Sequence, residues 1–152
     1  MRGMCYIFST GFVKLTKMDA TSKLPTLFYK KVGELFYAIA ATDNIVRKEE
    51  YLSLKNSLDS HGNLFEANEN EKSLKPVDIF GSAFKQAYQN KKDPETCFED
   101  FVKYKNNNPE FFTVARNKVI WKTANLIANS FSGVNKSEVI LLHKLKKALQ
   151  GS

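Results

Sequence analysis

Apolar residues recur along this chain at steps of three and four, the spacing of a helix with one buried face. Phe28, Val32, Leu35, Phe36, Ile39 and Ala40 predict a helix over about 25–42. Pro25 suits its first turn, where a missing amide costs nothing. Tyr51, Leu54 and Leu58 form a second, shorter stripe, closed by His61-Gly62. Residues 62–75, "GNLFEANENEKSLK", are polar and aperiodic and read as a long connection. The helical spacing resumes with Phe80, Ala83, Phe84, Ala87 and Tyr88. Asp93-Pro94 and Asn108-Pro109 are start signals, because Asp or Asn caps free amides and Pro fits the first turn. Phe98, Phe101 and Val102 give an apolar face to the helix behind the first signal. Behind the second, a long helix is predicted through about Phe131, with Phe112, Ala115, Val119, Leu126 and Ile127 inward. Leu141, Leu142, Leu145, Ala148 and Leu149 make the closing helix amphipathic. Alternating apolar and polar runs are missing, so strands have no claim. The prediction is an all-α fold, a single-domain bundle of about six to seven helices.

One pattern occurs twice. "AIAATDNIVRKEE" (38–50) aligns without a gap on "LIANSFSGVNKSE" (126–138), pairing Ile39 with Ile127, Ala40 with Ala128, Val46 with Val134, Lys48 with Lys136 and Glu50 with Glu138. In each, a helix with small inner residues stops, a short corner follows, and Val precedes the next helix. Small residues let helices approach closely, and the Val can plug the core as a hydrophobic staple does. Two helix-corner-helix units packed as a pseudo-two-fold pair are therefore expected.

Composition narrows the setting. With 152 residues, 43% of them apolar, the chain can bury one real core. Residues 1–24 read as a loose leader, with Met18 an alternative start to Met1, and residues 25–150 as the domain. Cys5 and Cys97 stand far apart and fit neither a disulfide scaffold nor a zinc ribbon, which points to a reduced, cytoplasmic setting. No apolar run reaches the roughly 18 residues that span a bilayer. The 23 Lys and Arg outnumber the 16 Asp and Glu, for a net charge of +7. That excess admits an acidic partner. Only Arg2, Arg47 and Arg116 are arginine, however, and Arg is the residue suited to bidentate phosphate and base contacts. Lysines at 30, 31, 91, 92, 103, 105, 118, 122, 144, 146 and 147 are spread over every predicted helix, as on a solvated surface.

Catalytic patterns are missing. There is no G-x-S-x-G, H-E-x-x-H, P-loop or dinucleotide fingerprint. Glu49-Glu50 and Glu99-Asp100 are sequence neighbours and diverge by about 100° on a helix, so neither makes a facing acid pair. The expectation is a protein that is not an enzyme.

The first copy of the repeat carries a family resemblance. Ala38, Ala40, Asp43, Asn44, Val46, Arg47 and Glu50 stand as A-x-A-x-x-D-G-x-[IV]-[ST]-x-x-E does in the TerB-like (tellurite-resistance protein B-like) domain, which this chain resembles over roughly Leu27 to Leu58. Phe111 to Leu149 resembles the family's second helical unit more weakly. Asn44 replaces the usual Gly, Arg47 replaces a capping Ser or Thr, and Phe131 replaces an acidic residue in the second copy. The resemblance implies an all-helical, pseudo-two-fold, cytoplasmic, stress-associated adaptor that binds protein partners, chaperone-related or stress-system proteins among them. It also implies a divalent metal such as calcium at Asp43, Glu50 and Glu138. Three carboxylates fall short of the six to eight oxygens calcium takes, so carbonyls and water would have to complete that set.

Each of those residues has a local reading beside the metal one. Asn135 with Glu138 forms a capping box, and Glu50 occupies the matching third helical position. Asp43 can bond its own corner amides, as Asx residues do. Trp121 reads as core or interface, and His61 and His143 as surface residues or helix-dipole partners. The alternative to the adaptor is a basic helical nucleic-acid-binding protein using Lys144, Lys146 and Lys147 with the lysines near 91 and 103.

Overall fold

The computed structural model describes residues 24–42, 46–65, 75–130 and 136–150. These form six α-helices and two short 3-10 turns, with no strand among the described residues. They are α1 (Thr26–Ala41), α2 (Lys48–Ser60), a turn at Gly62–Phe65, α3 (Pro76–Gln89), α4 (Pro94–Asn107), a turn at Pro109–Phe111, α5 (Val114–Ala128) and α6 (Lys136–Gln150). None of them is long and apolar enough to cross a membrane.

The first helix is the axis of the bundle. Its residues from Val32 to Ala41 are buried on every side, as expected of a helix surrounded by others. It packs most extensively on α3 and α4 and also touches α5 and α6, while α2 lies chiefly on α5. The tightest approach is at Gly33, where an added Cβ would stand 2.6 Å from Ala83 Cβ and 2.8 Å from the Phe80 carbonyl oxygen. The lost side chain at that position is what lets α1 and α3 come so close. Beside it lies an aromatic cluster around Phe28, whose ring centroid is 5.2 Å from that of Phe112 and 5.7 Å from that of Tyr29. Phe65 and Phe80 meet edge to face, with 87° between their planes. Offset and edge contacts of this kind are the favoured aromatic geometries.

The helix starts follow local chemistry. Pro76 and Pro94 each open a helix, and Asp93 Oδ2 accepts hydrogen bonds from the Thr96 amide and hydroxyl, both at 2.9 Å. The predicted start at Asn108-Pro109 is corrected: Pro109 opens only a 3-10 turn, and Phe112 leaves helical geometry with φ −105 and ψ 70. Thr113 then caps a fresh helix, its Oγ1 accepting from the Arg116 amide at 3.2 Å. Phe112, Val119 and Ile127 are buried as predicted, and the rest of the stripe differs. Arg116, Val119, Ile120, Thr123, Ala124 and Ile127 face inward, whereas the predicted Ala115 is exposed and Leu126 is 42% exposed. The helix ends at Ala128; Phe131 lies outside the described residues. Tyr88, expected on an inner face, is 54% exposed.

Candidate functional site

The predicted corner site is described in part. Asp43 and Asn135 lie outside the described residues. Glu50 sits in the first turn of α2 and is 1% exposed. Its Oε1 accepts the Arg47 backbone amide at 2.7 Å, which is the backward half of a capping box. A guanidinium offers no acceptor, so Arg47 cannot cap the helix with its own side chain as Ser or Thr would. Glu138 holds the equivalent place in α6 and is 2% exposed. Both buried carboxylates therefore stand at helix N-termini, where the backbone dipole favours negative charge. Among the described residues, no three His, Cys, Asp or Glu side chains gather as a metal site would need. A small cleft of about 310 Å³ lies where the end of α1, at Ala41 and Thr42, meets Asp93 of α4's cap and Ser137 of α6.

Two lysines are not the solvated charges expected of them. Lys92 Nζ donates to Glu34 Oε2 at 2.7 Å, and that carboxylate's side chain is only 4% exposed. The bond to Glu34 raises the Lys92 pKa despite some desolvation. Tyr37 Oη donates to the Lys92 carbonyl at 2.8 Å, so α1 grips the turn between α3 and α4 at two points. Lys105 is 1% exposed, and burial lowers its pKa. Cys97 lies on the same side of the bundle, and burial, reinforced by the Glu34 charge, pushes its thiol up to about 11. It is a packed thiol at neutral pH rather than a nucleophile.

A larger open feature lies elsewhere, between the N-terminal half of α5 and the C-terminal end of α6. It is a groove of about 650 Å³ whose apolar wall is built by Phe112, Val114, Trp121 and Leu149, with Lys118 and Lys146 among its lining residues. Val114 is 73% exposed, while Trp121 is half-buried and packs its inner edge on the core. The end of α6 brings Lys146 and Leu149 beside α5's first turns. Asn117, also in the lining, donates Nδ2 to the Phe112 carbonyl at 3.3 Å. Its Oδ1 is buried and has no hydrogen-bond partner among the described residues.

No protein-family model, curated protein or solved structure matches the chain.

Sequence patterning reaches part of this groove. Trp121 was expected in the core or at an interface, and it lines an open apolar wall. Val114 carried no signal, because its exposure depends on Thr113 restarting the helix. The lysines of the alternative nucleic-acid surface lie on separate elements: Lys91 in the turn after α3, Lys103 on α4, and Lys144, Lys146 and Lys147 on α6. His61 Nδ1 lies 3.0 Å from the Ser57 carbonyl, a contact at α2's end in keeping with the dipole-partner expectation, and His143 is exposed. Arg116 was not expected to be buried. Its Nε donates to the Leu64 carbonyl at 2.8 Å and its Nη1 to the Phe111 carbonyl at 3.1 Å, tying both 3-10 turns to α5.

Proposed function

We propose that this chain is a non-enzymatic helical interaction domain, an adaptor of the stress-associated TerB-like kind whose partners are proteins. The observation that carries the reading is the groove between α5 and α6, where Val114 stands 73% exposed beside Trp121 on an apolar wall. A partner protein would cover that wall, since a concave apolar surface with a few placed polar groups is the usual form of a binding site. On this reading α1–α2 and α5–α6 form the two pseudo-symmetric helix-corner-helix units. The metal expectation at Asp43, Glu50 and Glu138 remains a further part of the proposal, in competition with the capping bond that Glu50 already accepts.

The test is capture of the tagged chain from its native cells, with and without nuclease. Protein partners that survive nuclease, and among them stress-system or chaperone-related proteins, support the adaptor. Recovery of nucleic acid, with every protein lost on digestion, would overturn it in favour of a lysine-based nucleic-acid surface whose affinity falls steeply with salt. Calorimetric titration of calcium into the wild type and Asp43→Asn addresses the metal: heat abolished by the substitution supports it, and heat unchanged or absent removes it.

A further inference from the structure

We infer that the α5–α6 groove takes an acidic amphipathic helix of a partner protein. Its apolar stripe would seat on Phe112, Val114 and Trp121, and its carboxylates would meet Lys118 and Lys146. The inference rests on the interaction-domain reading and adds to it the chemistry of the partner.

Charge selects the occupant first. Among the described residues, the groove is lined by two lysines and no acidic residue. The whole chain carries a net charge of +7, so a second copy would bring like charge against like. An acidic partner gains attraction on approach and meets no like charge from these lysines. Backbone geometry selects next. A peptide can dock by adding a strand to a sheet edge or by laying an apolar helix face into a groove. The described residues offer no strand and therefore no edge for the first mode. They do offer a groove between two helices with an apolar wall, which suits the second. A lipid surface is the weaker fit. To lie on a bilayer, α6 would have to present an apolar face, but Leu141, Leu142 and Leu145 are spent in the core.

Asn117 adds a polar point of recognition. Its amide is oriented by the bond to the Phe112 carbonyl, which leaves Oδ1 buried beside the groove and unsatisfied among the described residues. Buried acceptors rarely stay unpartnered. A hydroxyl, amide or indole N–H on the docked helix would complete it, with a small rotation of the side chain. That gives the site a preference beyond charge and apolar fit.

The test uses the full chain, and its single tryptophan is the reporter, since Trp121 lines the groove. The probe is a tryptophan-free, 18-residue helical peptide with leucines at i, i+3, i+4 and i+7 and glutamates on the flanks. Saturable movement of Trp121 emission to shorter wavelength is the expected result. A peptide with lysines in place of the glutamates, and a scrambled isomer of the acidic one, should not saturate. Lys118→Glu combined with Lys146→Glu should weaken binding at least ten-fold. Both lysines are exposed, so folding is expected to survive and is checked by circular dichroism. Equal response to the basic peptide, an unchanged affinity in the double variant, or no response to the acidic peptide would overturn the inference. So would a saturable response to phosphatidylserine vesicles with none to the peptide. Loss of peptide binding together with continued nuclease-resistant capture of proteins removes only the partner chemistry. Peptide binding with no protein captured in cells leaves the groove standing and removes the adaptor.

Discussion

Helices α2 and α6 both rest against α5, and they rest on it differently. The α2 seam is closed: Leu54 and Leu58 are buried, and Ser57 Oγ lies 2.6 Å from Thr123 Oγ1 inside it. The α6 seam closes only along Leu141, Leu142 and Leu145, then opens toward Leu149, Trp121 and Val114. Polar groups follow the same division. In the closed seam two hydroxyls satisfy each other, whereas at the open one Asn117 Oδ1 has no partner among the described residues. Closed packing of this kind maintains the fold, and an open apolar seam beside it is where a partner can add contacts.

Substitutions can break or sharpen this contrast, and the largest effect belongs on the closed side. Gly33→Ala should destabilise the protein by about 2 kcal/mol, because the new methyl meets Ala83 and the Phe80 carbonyl and overpacking outweighs the gain in helix propensity. Urea unfolding measures it, and Ala83→Gly in the same chain should restore part of the loss. A comparable effect appears only at high pH. The Cys97 thiol titrates at about 11 in the folded protein against 9.0 ordinarily, so between those values the unfolded chain gives up a proton that the folded chain keeps. Stability therefore falls as pH rises through that window, by ~2 kcal/mol from this group. In Cys97→Ala that component should vanish, seen as a shallower decline of the urea midpoint from pH 9 to 11 than in the wild type.

Smaller effects mark the seams themselves. Ser57→Ala strands the Thr123 hydroxyl and should cost about 1 kcal/mol, while adding Thr123→Val should recover most of it, as expected when both partners of a buried bond are removed. Val114→Ser, at the open seam, should change stability by less than about 0.5 kcal/mol, because the side chain is 73% exposed. The same variant should weaken partner capture. A residue that matters for binding and not for folding is what distinguishes the open side from the closed one.

The helices themselves were legible because each carries an apolar stripe that repeats locally. The end of α1, the caps at Asp93 and the stop at His61 needed only a few neighbouring residues, and those residues are in the sequence window. The start of α5 was missed for a related reason: Asn108-Pro109 and Thr113 are both valid start signals, and only the packing of Phe111 and Phe112 against Phe28 decides between them. Buried charge was not legible at all. Glu34 and Lys92 are 58 residues apart, and nothing in the pattern around either announces the other. Lys105 looks like any surface lysine until α4 is rotated into place. The corner was legible as a joint, and Glu50 takes the capping role its spacing allows, while Asp43 lies outside the described residues. The groove was legible only through Trp121, since a groove is a property of two helices and not of either.

The most direct measurement places a photocrosslinking benzoylphenylalanine at Val114 in the native cells and, separately, at Leu52, an apolar residue on α2 that is 44% exposed and outside the groove. A discrete protein adduct from position 114 and none from position 52 is the predicted result. Adducts of equal strength from both positions, or an adduct from position 52 alone, would contradict the assignment of the α5–α6 groove as the binding surface.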